Sequence, residues 1–203
     1  MLGEVLLRRK AKTKKASVPL LADGERDVVV MGSLEIARHA ESIGRAAPLF
    51  PRDAEKDIER WNDVADRIMH VGRAWVLRNI LKSRDAQKEA LPSFVPGIFA
   101  ASSSMAVSFL VKKYAVPVDL DPEVRQVLRP ALEEVREALK GKSYLLDGFT
   151  YADIAIAASL QSVRPHDAAP LGPATRAAWT NDELASEYDD LLMWRDAIVR
   201  KHR

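Results

Sequence analysis

The chain contains no cysteine, which excludes thiol nucleophiles, disulfides, thiolate metal ligands and Cys-x-x-Cys redox chemistry together. Its four histidines, His39, His70, His166 and His202, are scattered without ligand-like spacing, so no metal site is expected. Ser17 has no histidine or carboxylate partner at a suggestive spacing and reads as loop. What remains is chemistry of holding rather than of bond-making. Ser33 precedes Leu34, Ile36 and Ala37, the place of a helix N-cap whose hydroxyl meets free N–H groups. Thr150 and Asp153 have the Thr-x-x-Asp spacing of a capping box, with Phe149 and Ile154 placed as its hydrophobic staple. Thr180 and Glu183 repeat the spacing as Thr-x-x-Glu.

The elements that carry these residues change character along the chain. Residues 4–8 read as a short strand and 9–16 as a solvated basic connection. Residues 18–22 and the β-branched run 27–31 read as two strands around the turn signal Asp23-Gly24. A helix from Leu34 is expected to end near Gly44, and Ala46-Ala47-Pro48-Leu49-Phe50-Pro51 reads as a linker. Beyond it the period is helical. Ile58, Trp61, Val64, Ala65, Ile68, Met69, Val71, Trp75 and Ile80 predict one long helix over 54–81. Leu91-Pro92 and Val95-Pro96-Gly97 break the chain before a helix over 98–114 rich in small residues. A second break spans 117–122, then a helix over 123–140 that Pro130 is expected to kink. The helix opened by Thr150 is apolar on nearly every face through Leu160 and is expected to be buried on all sides. A last helix from Thr180 carries Leu184, Tyr188, Leu191, Leu192, Trp194 and Ile198, and its basic end suits the negative helix pole.

At 203 residues, 47% hydrophobic and 30% charged, the composition is that of an ordinary soluble globular chain. No apolar run approaches the ~20 residues that span a bilayer, and Arg8 and Arg9 follow the first apolar patch where a signal peptide would place them before it. No membrane association and a cytoplasmic location are the expectations. The net charge of +2 is uneven: residues 1–17 carry +5, which leaves −3 for the remainder. The basic arm has no interleaved aromatics for stacking on bases, so a nucleic-acid partner is not expected.

Three features, in order, resemble a glutathione S-transferase. Val18-Pro19 enters a strand, a turn and second strand follow, and Ser33 opens a helix; a proline-containing linker leads into an all-helical half; and Asp147-Gly148-Phe149-Thr150-Tyr151-Ala152-Asp153 is similar to the family's capping box and staple. The resemblance covers Val18 to the C-terminus. It implies an α/β N-terminal remnant, thioredoxin-like and truncated, over 1–45, a linker over 46–53 and an all-α domain over 54–203. It implies that Pro19 follows a cis peptide bond and that Val18 offers backbone N–H and C=O groups to the cysteinyl part of glutathione. Ser33, after Gly32, would take the γ-glutamyl carboxylate at a helix start, where free N–H groups and the helix dipole favour an anion. Glutathione is the implied co-substrate, a small hydrophobic electrophile its acceptor, and a homodimer the assembly. Met69, His70 and Arg73 fall where the family's acceptor pocket lies.

The sequence departs from that pattern in places that bear on activity. The family usually has Glu, Asp or Gln before the serine, where this chain has Gly32. The first strand and helix are missing, and with them the Tyr, Ser or Cys that stabilises the thiolate; no tyrosine precedes Tyr114. The second family helix is shortened into residues 8–17. A thioredoxin-like sheet without that strand would expose unpaired backbone edges, which favours a parent protein that starts upstream of Met1. The catalytic residue is therefore not assigned. A non-catalytic, glutathione transferase-like interaction module is the alternative.

Overall fold

A computed structural model describes residues 18–89, 111–112, 116–117 and 119–202. The basic arm with its expected strand, Ser17, the breaks at 91–97 and nearly all of the expected helix over 98–114 lie outside the described residues. Val111 and Lys112, from that last stretch, are helical. The chain divides into two units, one ending at Ile58 and one starting at Glu59.

In the first unit, Asp23 starts a chain reversal by accepting the N–H groups of Glu25 (3.1 Å) and Arg26 (3.2 Å) on Oδ1. This local side-chain bond is what favours Asp in turns. Asp27 completes the turn at φ 50, a conformation aspartate tolerates better than most residues. The strands it joins, β1 (Leu20–Asp23) and β2 (Val28–Met31), pair antiparallel with Leu20 opposite Met31 and Asp23 opposite Val28. β1 starts at Leu20, later than the sequence predicts, because Pro19 has no N–H to give to the ladder. The helix α1 (Ser33–Ile43) follows directly. No residue of β1, β2 or α1 is fully buried.

The division between the units falls in the first turns of α2 (Glu55–Lys82). In the second unit, Trp61, Val64, Ala65, Ile68 and Val71 form the buried stripe of α2 at the predicted helical spacing. The short helix α3 (Arg84–Glu89) follows. Pro122 sits in the first turn of α4 (Asp121–Glu123). A π-helical segment, Val124–Leu128, joins it to α5 (Arg129–Ala138). It lies just before Pro130, where the sequence predicts a kink. Proline cannot donate to the carbonyl four residues back and its ring collides with it; a turn widened to Arg129 N–H→Val124 O absorbs that misfit. The chain then leaves the helix through Gly141 at φ +70.

α6 (Tyr151–Ser159) and a 3-10 turn (Leu160–Ser162) run through the core with Ala152, Ile156, Ala157 and Leu160 buried. Burial is not uniform around α6, as the sequence had implied: Ile154 is 36% exposed and Ala158 shares its face in the open. Apolar character all round marks tolerance of burial and does not specify it. α7 (Pro173–Trp179) has no counterpart in the sequence reading, since seven residues hold too few turns for a period to register. The last helix is two. α8 (Asp182–Glu187) stops at Tyr188, which leaves helical geometry at φ −112 and ψ 32, and α9 (Asp189–His202) resumes. Asn181, not Thr180, is the N-cap of α8 and accepts the Leu184 N–H at 3.1 Å. The Thr180 hydroxyl donates instead to the Arg176 carbonyl at the end of α7 (2.9 Å).

Candidate functional site

The residues singled out in the first unit meet at the open end of the hairpin. Gly32 N–H donates to the Pro19 carbonyl at 3.0 Å, one step beyond the β1–β2 register. This single bond brings Val18-Pro19 beside Gly32-Ser33. The Val18–Pro19 peptide is cis, and Val18 is 68% exposed. Gly32 turns the chain from β2 into α1 at φ 91 and ψ 143, a left-handed region open to glycine and costly for other residues. Its carbonyl takes the Ile36 N–H (3.0 Å), so Gly32 is the N-cap. Ser33 was expected in that role and instead begins the helix at its first position. From helical backbone angles its hydroxyl does not reach the N–H two or three residues on, and no side chain caps α1. The first-turn N–H groups consequently have no acceptor within the helix. Glu35 also lies in that turn, so an arriving carboxylate would share the helix pole with one already there.

The closed end of the hairpin is pinned separately. Asp23 Oδ2 lies 3.0 Å from His39 Nε2 and 3.1 Å from Arg26 Nη1. The hydrogen bond from His39, and then those from Arg26, hold the Asp23 carboxyl below the usual range. α1 also organises the chain after it. Glu41 Oε2 accepts the N–H groups of Leu49 and of Phe50 (3.1 Å), and Arg38 reaches Glu55 at 2.6 Å with its guanidinium 4.8 Å above the Phe50 ring. Asp23 was legible as a turn residue, but its partner His39 was not, because no local rule relates residues 16 apart.

Met69, His70 and Arg73 belong to the second unit. They follow one another on α2, with Met69 half-buried and His70 and Arg73 exposed. The structural pair predicted there is in place: Thr150 N–H donates to Asp153 Oδ2 at 2.9 Å and the two halves of a capping box are formed. Asp153 Oδ1 accepts the Leu145 N–H as well (2.9 Å). Burial pushes the Asp153 carboxyl above the usual range, against the pull of these hydrogen bonds. The Phe149 ring stacks on His202 at 3.6 Å, an aromatic contact the staple reading did not foresee.

Among the described residues no group of His, Asp or Glu has the arrangement to hold a metal ion, and no helix is long and apolar enough to cross a membrane. No family model, no curated protein and no solved structure matches this chain.

Proposed function

We propose that the open end of the hairpin is the glutathione-gripping half of a glutathione S-transferase-like site. The observation that carries the reading is the Gly32 N–H to Pro19 carbonyl bond. It sets an exposed backbone step at Val18 next to the unsatisfied start of an 11-residue helix at Ser33. A γ-glutamyl carboxylate is suited to that helix start and the Ser33 hydroxyl, and the cysteinyl backbone to the N–H and C=O of Val18. Met69, His70 and Arg73 are the proposed wall for a small hydrophobic electrophile, and a homodimer the proposed assembly.

A specific observation favours the second reading, a binding module without catalysis. Between residues 18 and 58 the only hydroxyl side chains are Ser33 and Ser42, with neither Tyr nor Cys. Ser33 is committed here to the carboxylate and Ser42 donates to the His39 carbonyl (2.7 Å), so this stretch offers no uncommitted hydroxyl or thiol to hydrogen-bond a thiolate.

Calorimetric titration with glutathione tests the shared premise. Binding is expected, and Ser33→Ala should weaken it about tenfold, the worth of one hydrogen bond to a charged group. Absence of binding by the unaltered chain overturns both readings. If glutathione binds, its conjugation to an aryl halide above the uncatalysed rate selects the enzyme, and binding without acceleration selects the module.

A further inference from the structure

The loop that enters α6 is fixed on both sides of Tyr144. Trp194 Nε1 of α9 donates to the Ser143 carbonyl (2.9 Å), and the Leu145 N–H donates to Asp153 Oδ1 (2.9 Å). With its neighbours held, the Tyr144 side chain meets the last turn of α9. Lys201 Nζ donates to Tyr144 Oη at 2.7 Å, and His202 Nε2 lies 3.1 Å from the same oxygen. The His202 ring is itself oriented, stacked on Phe149 with centroids 3.6 Å apart and an interplanar angle of 1°. Tyr144 is half-buried, whereas Lys201 and His202 are exposed, so the group opens to solvent.

Each contact has a chemical meaning. An ammonium can only donate, so Lys201 occupies a lone pair of the phenol oxygen and leaves the phenolic hydrogen free to point at Nε2. In the tautomer with its hydrogen on Nδ1, His202 accepts that hydrogen. A hydroxyl within hydrogen-bond reach of a base that a third group orients is the arrangement of an activated nucleophile. The negative charge that develops on Oη during attack faces the Lys201 ammonium. No local spacing records this group, because Tyr144 and His202 are 58 residues apart.

We propose that Tyr144 is an acyl-accepting nucleophile toward activated esters that reach it from solvent, with His202 as its general base. Oη attacks the ester carbonyl carbon and forms the new O–C bond. The ester C–O bond breaks, the leaving group departs with its electron pair, and the phenolic proton passes to His202 Nε2. The product is an O-acyl tyrosine. The site lies within the second unit and stands independently of the glutathione reading.

The test is to treat the full chain with p-nitrophenyl acetate in the presence of N-acetyltyrosinamide and to follow acetylation of both by mass spectrometry. Hydroxylamine, which strips acetyl from a phenol oxygen but not from an amine, separates Tyr144 from Lys201. Tyr144 should be acetylated about a hundredfold faster than the free tyrosinamide, the low end of what a positioned general base contributes. His202→Phe keeps a ring to stack on Phe149 and removes the base. It should lose about that hundredfold factor, and Lys201→Gln about tenfold. A Tyr144 rate equal to that of the free tyrosinamide overturns the proposal, as does an undiminished rate in either variant. Should His202→Phe fail to fold, seen by circular dichroism, His202→Gln takes its place with the same expected loss.

Discussion

Gly32 and Ser33 divide a task that the sequence places on one residue. A serine before an amphipathic run reads as the cap, yet a cap must leave helical geometry, and Gly32 does so at φ 91. Replacing Gly32 by Ala should therefore cost about 1–2 kcal/mol through the left-handed backbone alone. The loss should appear as faster amide exchange at position 32, whose N–H holds the Pro19 carbonyl in the unaltered chain. In the helical unit the sharpest constraint on a single residue is Gly72. A Cβ built there would lie 2.0 Å from Ser162 Oγ and 2.4 Å from its Cβ, while Ser162 is buried and donates to the Ser159 carbonyl (2.8 Å). Gly72→Ala should destabilise by about 1–3 kcal/mol, the usual penalty for overpacking, in urea unfolding. Adding Ser162→Gly should recover part of that loss, which a simple helix-propensity effect would not.

At the scale of elements, buried side chains close both ends of α6 and its 3-10 turn. Asp153 serves the first turn of α6 and the incoming loop through Leu145. Thr150→Ala should cost about 1 kcal/mol, and Asp153→Ala more, since two buried N–H groups lose their acceptor. The other end is closed by Arg195 of α9. It is 1% exposed, donates to the carbonyls of Leu160 (3.5 Å) and Arg164, and pairs with Asp196 at 2.6 Å. Arg195→Met keeps the apolar stem and removes the fork. It should destabilise by about 1–3 kcal/mol in the same unfolding measurement, because the Arg164 carbonyl loses this donor and Asp196 its guanidinium partner. α5 is tied to α8 and α9 by arginines: Arg129 pairs with Glu183 (2.5 Å) and Glu187, Arg136 with Asp190 (2.7 Å), and the Arg136 guanidinium lies 4.4 Å over the Tyr188 ring. Burial, with Glu133 beside it, pushes the Tyr188 hydroxyl up to about 12, so it stays neutral at the helix break.

Across the whole molecule, acid should be the selective denaturant. Asp23 is held below the usual range by His39, Glu89 by the Thr175 N–H and Asp190 by Arg136; at Glu134 burial is outweighed by Arg67 and Arg60. Each binds its proton more weakly when folded than when unfolded. Their contribution is complete above the ordinary values of 3.8 for Asp and 4.5 for Glu and is lost as pH falls through the lower folded values. Asp153, shifted upward, acts in the opposite sense and offsets part of the loss. Circular dichroism should show stability falling as pH drops below about 4.5. Glu134→Gln should flatten that fall by removing one contributor.

The sequence alone determined the features that depend on neighbours in the chain. The α2 stripe, the hairpin turn at Asp23, the Thr150–Asp153 box and the basic end of α9 each follow from a spacing of two to four residues, and each is where the spacing put it. Val18-Pro19 before a strand and Gly32-Ser33 before a helix were singled out through the family resemblance, and the Gly32 N–H to Pro19 carbonyl bond brings the two pairs together. Only the tertiary structure decided which candidate makes each bond. Gly32 displaced Ser33 as the cap, Asn181 displaced Thr180, Ile154 came to the surface, and His39 reached Asp23. For Asp23 and Gly32 the partner lies 13 to 16 residues away, where no local period records it.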